Sequence, residues 1–120
     1  MLSKELLGKI LNFNVSSSEV IGNEILVIFE DGDRELYNIY GVANKCKIWS
    51  AERGYYIMSS LGKYPEGLRW YSTFRYVETF KDGFTLDLEE WFNSENEPEA
   101  IFKATQWVYE RIKETNGINR

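Results

Sequence analysis

Residues 96–117, NEPEAIFKATQWVYERIKETNG, decide the fold. Asn96 is placed to cap a helix, and Glu99 follows three positions later, as a capping box requires. Pro98 falls in the first turn, where backbone N–H groups have no intrahelical partner. Glu97 and Glu99 sit at the positive end of the helix dipole, and Arg111 and Lys113 at the negative end. Gly117 is a natural stop. Ile101, Ala104, Val108 and Ile112 recur at helical spacing and form one apolar stripe. The small Ala104 within it suits close approach to a sheet. Phe102, Trp107 and Tyr109 fall off the stripe. They either widen the buried face or meet a partner, and burial is the commoner fate of aromatics beside a core stripe.

A helix with one apolar stripe needs something to pack on, and the chain before it supplies strands. Residues 3–12 read as a short helix capped by Ser3, with Leu6, Leu7, Ile10 and Leu11 on its apolar side. Residues 13–21 are a strand with a polar interior, and Gly22-Asn23 is a turn. Glu24–Glu30 (EILVIFE) is the strongest strand, β-branched and nearly all apolar. Asp31-Gly32 is a hairpin turn, and Asp33–Tyr37 returns as a third strand. Asn38–Arg53 is a helix capped by Asn38 and ended by Gly54, with Ile39, Val42, Ala43 and Cys46 on one face.

Tyr55–Leu61 is a fourth strand, and Gly62 to Gly67 a loop. Leu68–Phe80 is a long strand, with Trp70, Phe74, Tyr76 and Phe80 on one face and Tyr71, Thr73, Arg75 and Val77 on the other. Lys81-Asp82-Gly83 is a turn, and Phe84–Phe92 the last strand. Its alternation breaks at Glu90-Trp91, which marks a bulge or the strand's end. Asn93–Glu95 is a polar loop. The fold class is therefore α+β. One domain over residues 1–120 carries a single twisted, largely antiparallel sheet with packed helices, in the order α-β-β-β-α-β-β-β-α.

Composition narrows the function classes. Aromatics make up 16% of the chain, with four Trp, eight Tyr and seven Phe. There is no histidine, which removes the commonest general base and zinc ligand. The one cysteine, Cys46, allows no internal disulfide and no Cys/His metal site. No apolar run nears the roughly 20 residues that span a bilayer, and Lys4, Glu5 and Lys9 interrupt any signal-peptide core. A cytoplasmic protein without membrane, metal or cofactor is expected.

The charge of −5 is uneven. Residues 38–77 hold six basic side chains against two acidic, while both flanking segments are acidic. A basic middle can mark a site for an anionic group, or oppositely charged segments simply pack together. The second reading is the commoner.

No nucleotide-loop, nucleophile-elbow or zinc-protease motif occurs. Glu30-Asp31-Gly32-Asp33 reads as a hairpin turn and lacks the later ligands of a calcium loop. Asp87, Glu89 and Glu90 form an acidic group, more often a solvated strand face than a cation site. Cys46 reads as a small buried residue, with no base to activate it. An enzyme is the weakest class. Trp70, Tyr71, Tyr76, Arg69, Arg75, Lys63 and Lys45 can instead be read as an aromatic, basic surface that stacks bases, against which stands a pI near 4.8. The same aromatics suit a protein-binding face, a small-ligand pocket or a homodimer interface.

Two stretches resemble small uncharacterised proteins of bacteriophages and prophages. These are NIYxxAxKCKxW within Asn38–Ala51 and EPEAIFKA at Glu97–Ala104, together about a fifth of the chain. The chains that it resembles often carry a histidine before the Lys-Cys-Lys, where this one has Asn44. The resemblance implies an α-β-α sandwich type of domain and an accessory protein in a bacterial host, of the kind that blocks a restriction or CRISPR nuclease. The expected function is non-catalytic binding of a host protein, with nucleic-acid or nucleotide binding as the alternative. The expected contacts are Trp70, Tyr71, Arg75 and Tyr76, with Asp87, Glu89 and Glu90 as an acidic surface imitating phosphate.

Overall fold

The computed structural model describes residues 1–79 and 85–118, with side chains at 1–74 and 90–114. Among these residues the elements follow the expected order. They are α1 Lys4–Leu11, β1 Val15–Ile21, β2 Glu24–Phe29, β3 Arg34–Asn38, α2 Ile39–Ala51, β4 Tyr56–Tyr64, β5 Gly67–Thr79, β6 Thr85–Ser94 and α3 Glu97–Ile118.

The α+β class stands, but the strands divide between two antiparallel meanders, β1-β2-β3 and β4-β5-β6, where one continuous sheet was expected. Asn38 shows why. It is both the last residue of β3 and the cap of α2, its Oδ1 accepting from the Tyr40 and Gly41 N–H groups at 2.9 and 3.2 Å. The chain therefore leaves the first sheet as a helix, and β4 starts a new ladder.

Local chemistry sets the ends of the other elements. Ser3 Oγ accepts from the Leu6 N–H and caps α1. Asn96 Oδ1 accepts from the Glu99 N–H at 2.9 Å and caps α3, while the Glu99 carboxylate lies 3.6 Å from the Met1 amino group. The helix runs through Gly117, the expected stop, to Ile118. At the β2–β3 turn Asp31 Oδ1 accepts from the Asp33 N–H at 2.9 Å, and Gly32 takes φ +92°, a region that glycine enters without a Cβ clash. The acidic tetrad is thus a turn. Ser16 lies at a bulge, where the β1–β2 register shifts between Val15 and Ser17.

The second sheet is longer and more regular than its sequence pattern. Gly62, Lys63 and Tyr64 belong to β4 and pair with Arg69, Leu68 and Gly67, so the expected loop contracts to Pro65-Glu66. β5 and β6 pair without a shift from Thr79↔Thr85 to Trp70↔Ser94. The break expected at Glu90-Trp91 and the loop expected from Asn93 are therefore corrected to continuous strand. The reason is that apolar–polar alternation reports burial, whereas the ladder needs only backbone groups. The turn expected at residues 81–83 lies outside the described residues. The last rung of β4 is Tyr56↔Arg75, so β5 and β6 extend beyond it as a two-stranded ribbon.

Leu6 and Leu7 of α1, Ile25 and Val27 of β2, Val42 and Cys46 of α2, and Phe102 and Val108 of α3 meet Phe74 in one contiguous core. Phe102 and Tyr109 are buried and Trp107 packs against the core, so the off-stripe aromatics widen the buried face of α3. α3 packs on β4, β5 and β6 from one side and on α2 alongside. The molecule is a slab of 50 × 43 × 18 Å. Its thickness holds one helix layer on one sheet layer. The far side of β4-β5-β6 is left as a surface.

Candidate protein-binding face

Strand alternation gives the second sheet two unlike sides. One side meets α3. Ser72 Oγ donates to the Ala100 carbonyl, and the Phe74 ring, fully buried, lies 4.8 Å from Trp107, 5.4 Å from Tyr55 and 6.4 Å from Phe92. Ile57, the ladder partner of Phe74, is buried on the same side.

The other side carries Tyr56, Met58, Tyr71 and Trp91. Three of these are strongly exposed, Tyr56 at 62%, Met58 at 58% and Trp91 at 60%. Tyr71 is half-buried because the Trp91 ring covers it, at 5.3 Å between centroids. Gly62 makes room for that pair. A Cβ there would meet Tyr71 Cε1 and Tyr64 Cε2, both at 3.1 Å. Met58 and Trp91 flank Thr73 in the ladder. Thr73 is buried beneath them and donates its hydroxyl to the Glu90 carbonyl at 2.7 Å. Arg69, opposite Gly62, holds an enclosed Nε with no hydrogen-bond partner. Aromatic residues, methionine and arginine are the side chains enriched at protein interfaces.

The structure separates the expected contacts. Tyr71 lies on this open face. Trp70 shares the strand parity of Ser72 and Phe74, pairs with Leu61 and Ser94, and belongs to the α3 side, so it and Tyr71 do not form one patch. Glu90 is exposed, shares the parity of Phe92, and also falls on the α3 side. Arg75 pairs with Tyr56 and Glu89, Tyr76 with Leu88, and Asp87 with Val77. The side chains of Arg75, Tyr76, Asp87 and Glu89 lie outside the described residues. Trp91, Tyr56 and Met58 were missed. The signal for Trp91 was present: carrying the β6 alternation through it, instead of breaking it there, puts Trp91 two rungs from Tyr71's partner Asn93.

The basic candidates are not gathered. Lys45 stands on α2, while Lys63 and Arg69 have opposite parity in the second sheet. Cys46 is fully buried, and burial pushes its thiol up to about 12 although the neighbouring Thr105 hydroxyl acts the other way. It stays a neutral thiol at physiological pH. Among the described residues no group of three cysteine, aspartate or glutamate side chains is placed to hold a metal ion. No described helix is long and apolar enough to cross a membrane. No protein-family model, no curated protein and no solved structure matches the chain.

Proposed function

We propose that this chain is a non-catalytic accessory protein of phage or prophage type that binds a host protein in the bacterial cytoplasm and inhibits a defence nuclease. The observation that carries the binding reading is the uncovered aromatic face of β4-β5-β6, with Tyr56, Met58 and Trp91 exposed around Tyr71. Leaving such side chains in water is unfavourable by about 25 cal/mol per Å² of apolar surface, which a partner would recover. The phage origin and the nuclease target rest on the resemblance of Asn38–Ala51 and Glu97–Ala104 alone.

The test is affinity capture from bacterial lysate with the wild-type chain and with Trp91→Ser. The expected result is a stoichiometric host protein on the wild type, free of nucleic acid, and its loss from the folded variant. Identical retention by both would remove the face from the binding site.

Nucleic-acid binding remains the second reading, favoured by the Tyr71–Trp91 pair with Arg69 on the same face, an arrangement on which bases can stack. It predicts retention of nucleic acid that falls steeply between low and moderate salt. The dispersed lysines and the net charge of −5 weigh against it.

A further inference from the structure

We propose that the open face of β4-β5-β6 receives an aspartate or glutamate side chain of its partner protein on Arg69, beside the aromatic rings. This inference rests on the reading of that face as the binding site and names the chemistry of what binds there. Strand parity sets Arg69 on the same side as Tyr71, two residues along β5, and as Gly62, its ladder partner in β4. Gly62 has no side chain to fill the place across from Arg69. A Cβ there would meet the Tyr64 and Tyr71 rings, each at 3.1 Å, so both rings close in on the glycine. The Trp91 ring continues the row, its centroid 5.3 Å from that of Tyr71. Arg69 therefore borders a wall of aromatic rings.

The guanidinium is fixed but unpaired. Arg69 is half-buried and its Nε is enclosed, which holds the planar group in place, while the terminal nitrogens are not enclosed. Among the described residues none of the three nitrogens has a hydrogen-bond or ion-pair partner. Glu95, one step past the Trp70↔Ser94 rung, is exposed and makes no such pair. A fork of N–H donors held in this way matches a carboxylate, which it binds bidentately. Covered by a partner without an acid, the same cation would be left uncompensated, which is strongly unfavourable. Charge also selects among occupants. Among the described side chains of this face Arg69 is the one charged group. A second copy of the chain would bring no described carboxylate to it. A nucleic-acid strand needs a series of cations along its phosphates, and Lys63 has the opposite parity. One carboxylate among apolar and aromatic side chains is the complement of this face.

The probe is an end-blocked pentapeptide, serine-leucine-aspartate-phenylalanine-serine, titrated into the isotope-labelled full chain. The readout is the nuclear magnetic resonance signal of the Arg69 Nε–H, which pairing of the guanidinium moves. A saturable shift is expected. Affinity should fall roughly tenfold or more when asparagine replaces aspartate, because a hydrogen bond to a charged group is lost. Arg69→Gln, followed through the Trp91 indole N–H, should bind the two peptides equally and weakly, and Arg69→Lys should recover part of the preference for aspartate. Trp91→Ser should weaken both peptides alike. No saturable shift with the aspartate peptide would overturn the proposal. Equal affinity of the wild type for both peptides would overturn it too, while weakening by Trp91→Ser would leave the face standing as the binding site. Binding untouched by Trp91→Ser would remove the face itself. An octathymidylate that shifts the Arg69 signal at lower concentration than the aspartate peptide would assign the face to nucleic acid and overturn the proposal as well.

Discussion

The two sides of the β4-β5-β6 sheet are built from alternate residues of the same strands, yet they obey different rules. Ile57, Ser72, Phe74 and Phe92 face α3, and each has a partner there or in the core. Tyr56, Met58, Tyr71 and Trp91 face outward, and Tyr56, Met58 and Trp91 stay strongly exposed while the Trp91 ring lies against Tyr71. The first side spends its side chains on stability. The second costs solubility and returns little stability, a cost that the proposed partner would offset.

The comparison breaks most visibly at Phe74. Phe74→Ala should destabilise the fold by about 3–5 kcal/mol in urea unfolding, because its ring is fully enclosed by Tyr55, Phe92 and Trp107. An effect under about 1 kcal/mol would mean that the α3 side is no better packed than the open side. Ser72→Ala removes the hydroxyl that holds the Ala100 carbonyl and should cost about 1 kcal/mol.

Cys46 sharpens the same contrast through pH. Its folded-state value near 12 lies above the unfolded value near 9. The folded state therefore keeps a proton that the unfolded state gives up. Its contribution is fully present below pH 9 and is lost progressively as pH rises from 9 to 12. Cys46→Ala should show a flatter loss of stability than the wild type across that window, measured by urea unfolding at each pH. Equal slopes would contradict the burial of the thiol.

On the open side the expected effects on folding are small. Trp91→Ser removes the Tyr71 ring contact, whose worth is about 0.5–1.5 kcal/mol, and should shift unfolding by no more than that. Gly62→Ala should move stability least, because a shift of a few tenths of an ångström in the Tyr64 and Tyr71 rings admits the added methyl. It should nonetheless alter the near-ultraviolet circular dichroism of those rings. An unchanged spectrum would show that Tyr71 does not lie over Gly62.

How far the sequence is legible follows from the same division. Ser3, Asn38 and Asn96 are legible as caps because capping is local chemistry, and each accepts the backbone hydrogen bond expected of it. Burial of Ile101, Ala104 and Val108 along the α3 stripe is legible from helical spacing. The split into two sheets is not, because nothing in the period of β3 or β4 records whether their edges meet. The contacts are partly legible. Tyr71 falls on the open face, whereas Trp70, its neighbour in sequence, must point the other way. Trp91 escapes because an exposed aromatic interrupts the alternation that identifies a strand, although it leaves the β5–β6 ladder intact.

The open face is tested most directly by parallel affinity capture from bacterial lysate, using wild-type chain and the double variant Tyr71→Ser, Trp91→Ser, after circular dichroism shows both folded. The account predicts one host protein retained in stoichiometric amount by the wild type and absent from the variant, with no excess absorbance at 260 nm. Equal retention by both chains, or retained material that nuclease or moderate salt removes, would contradict it.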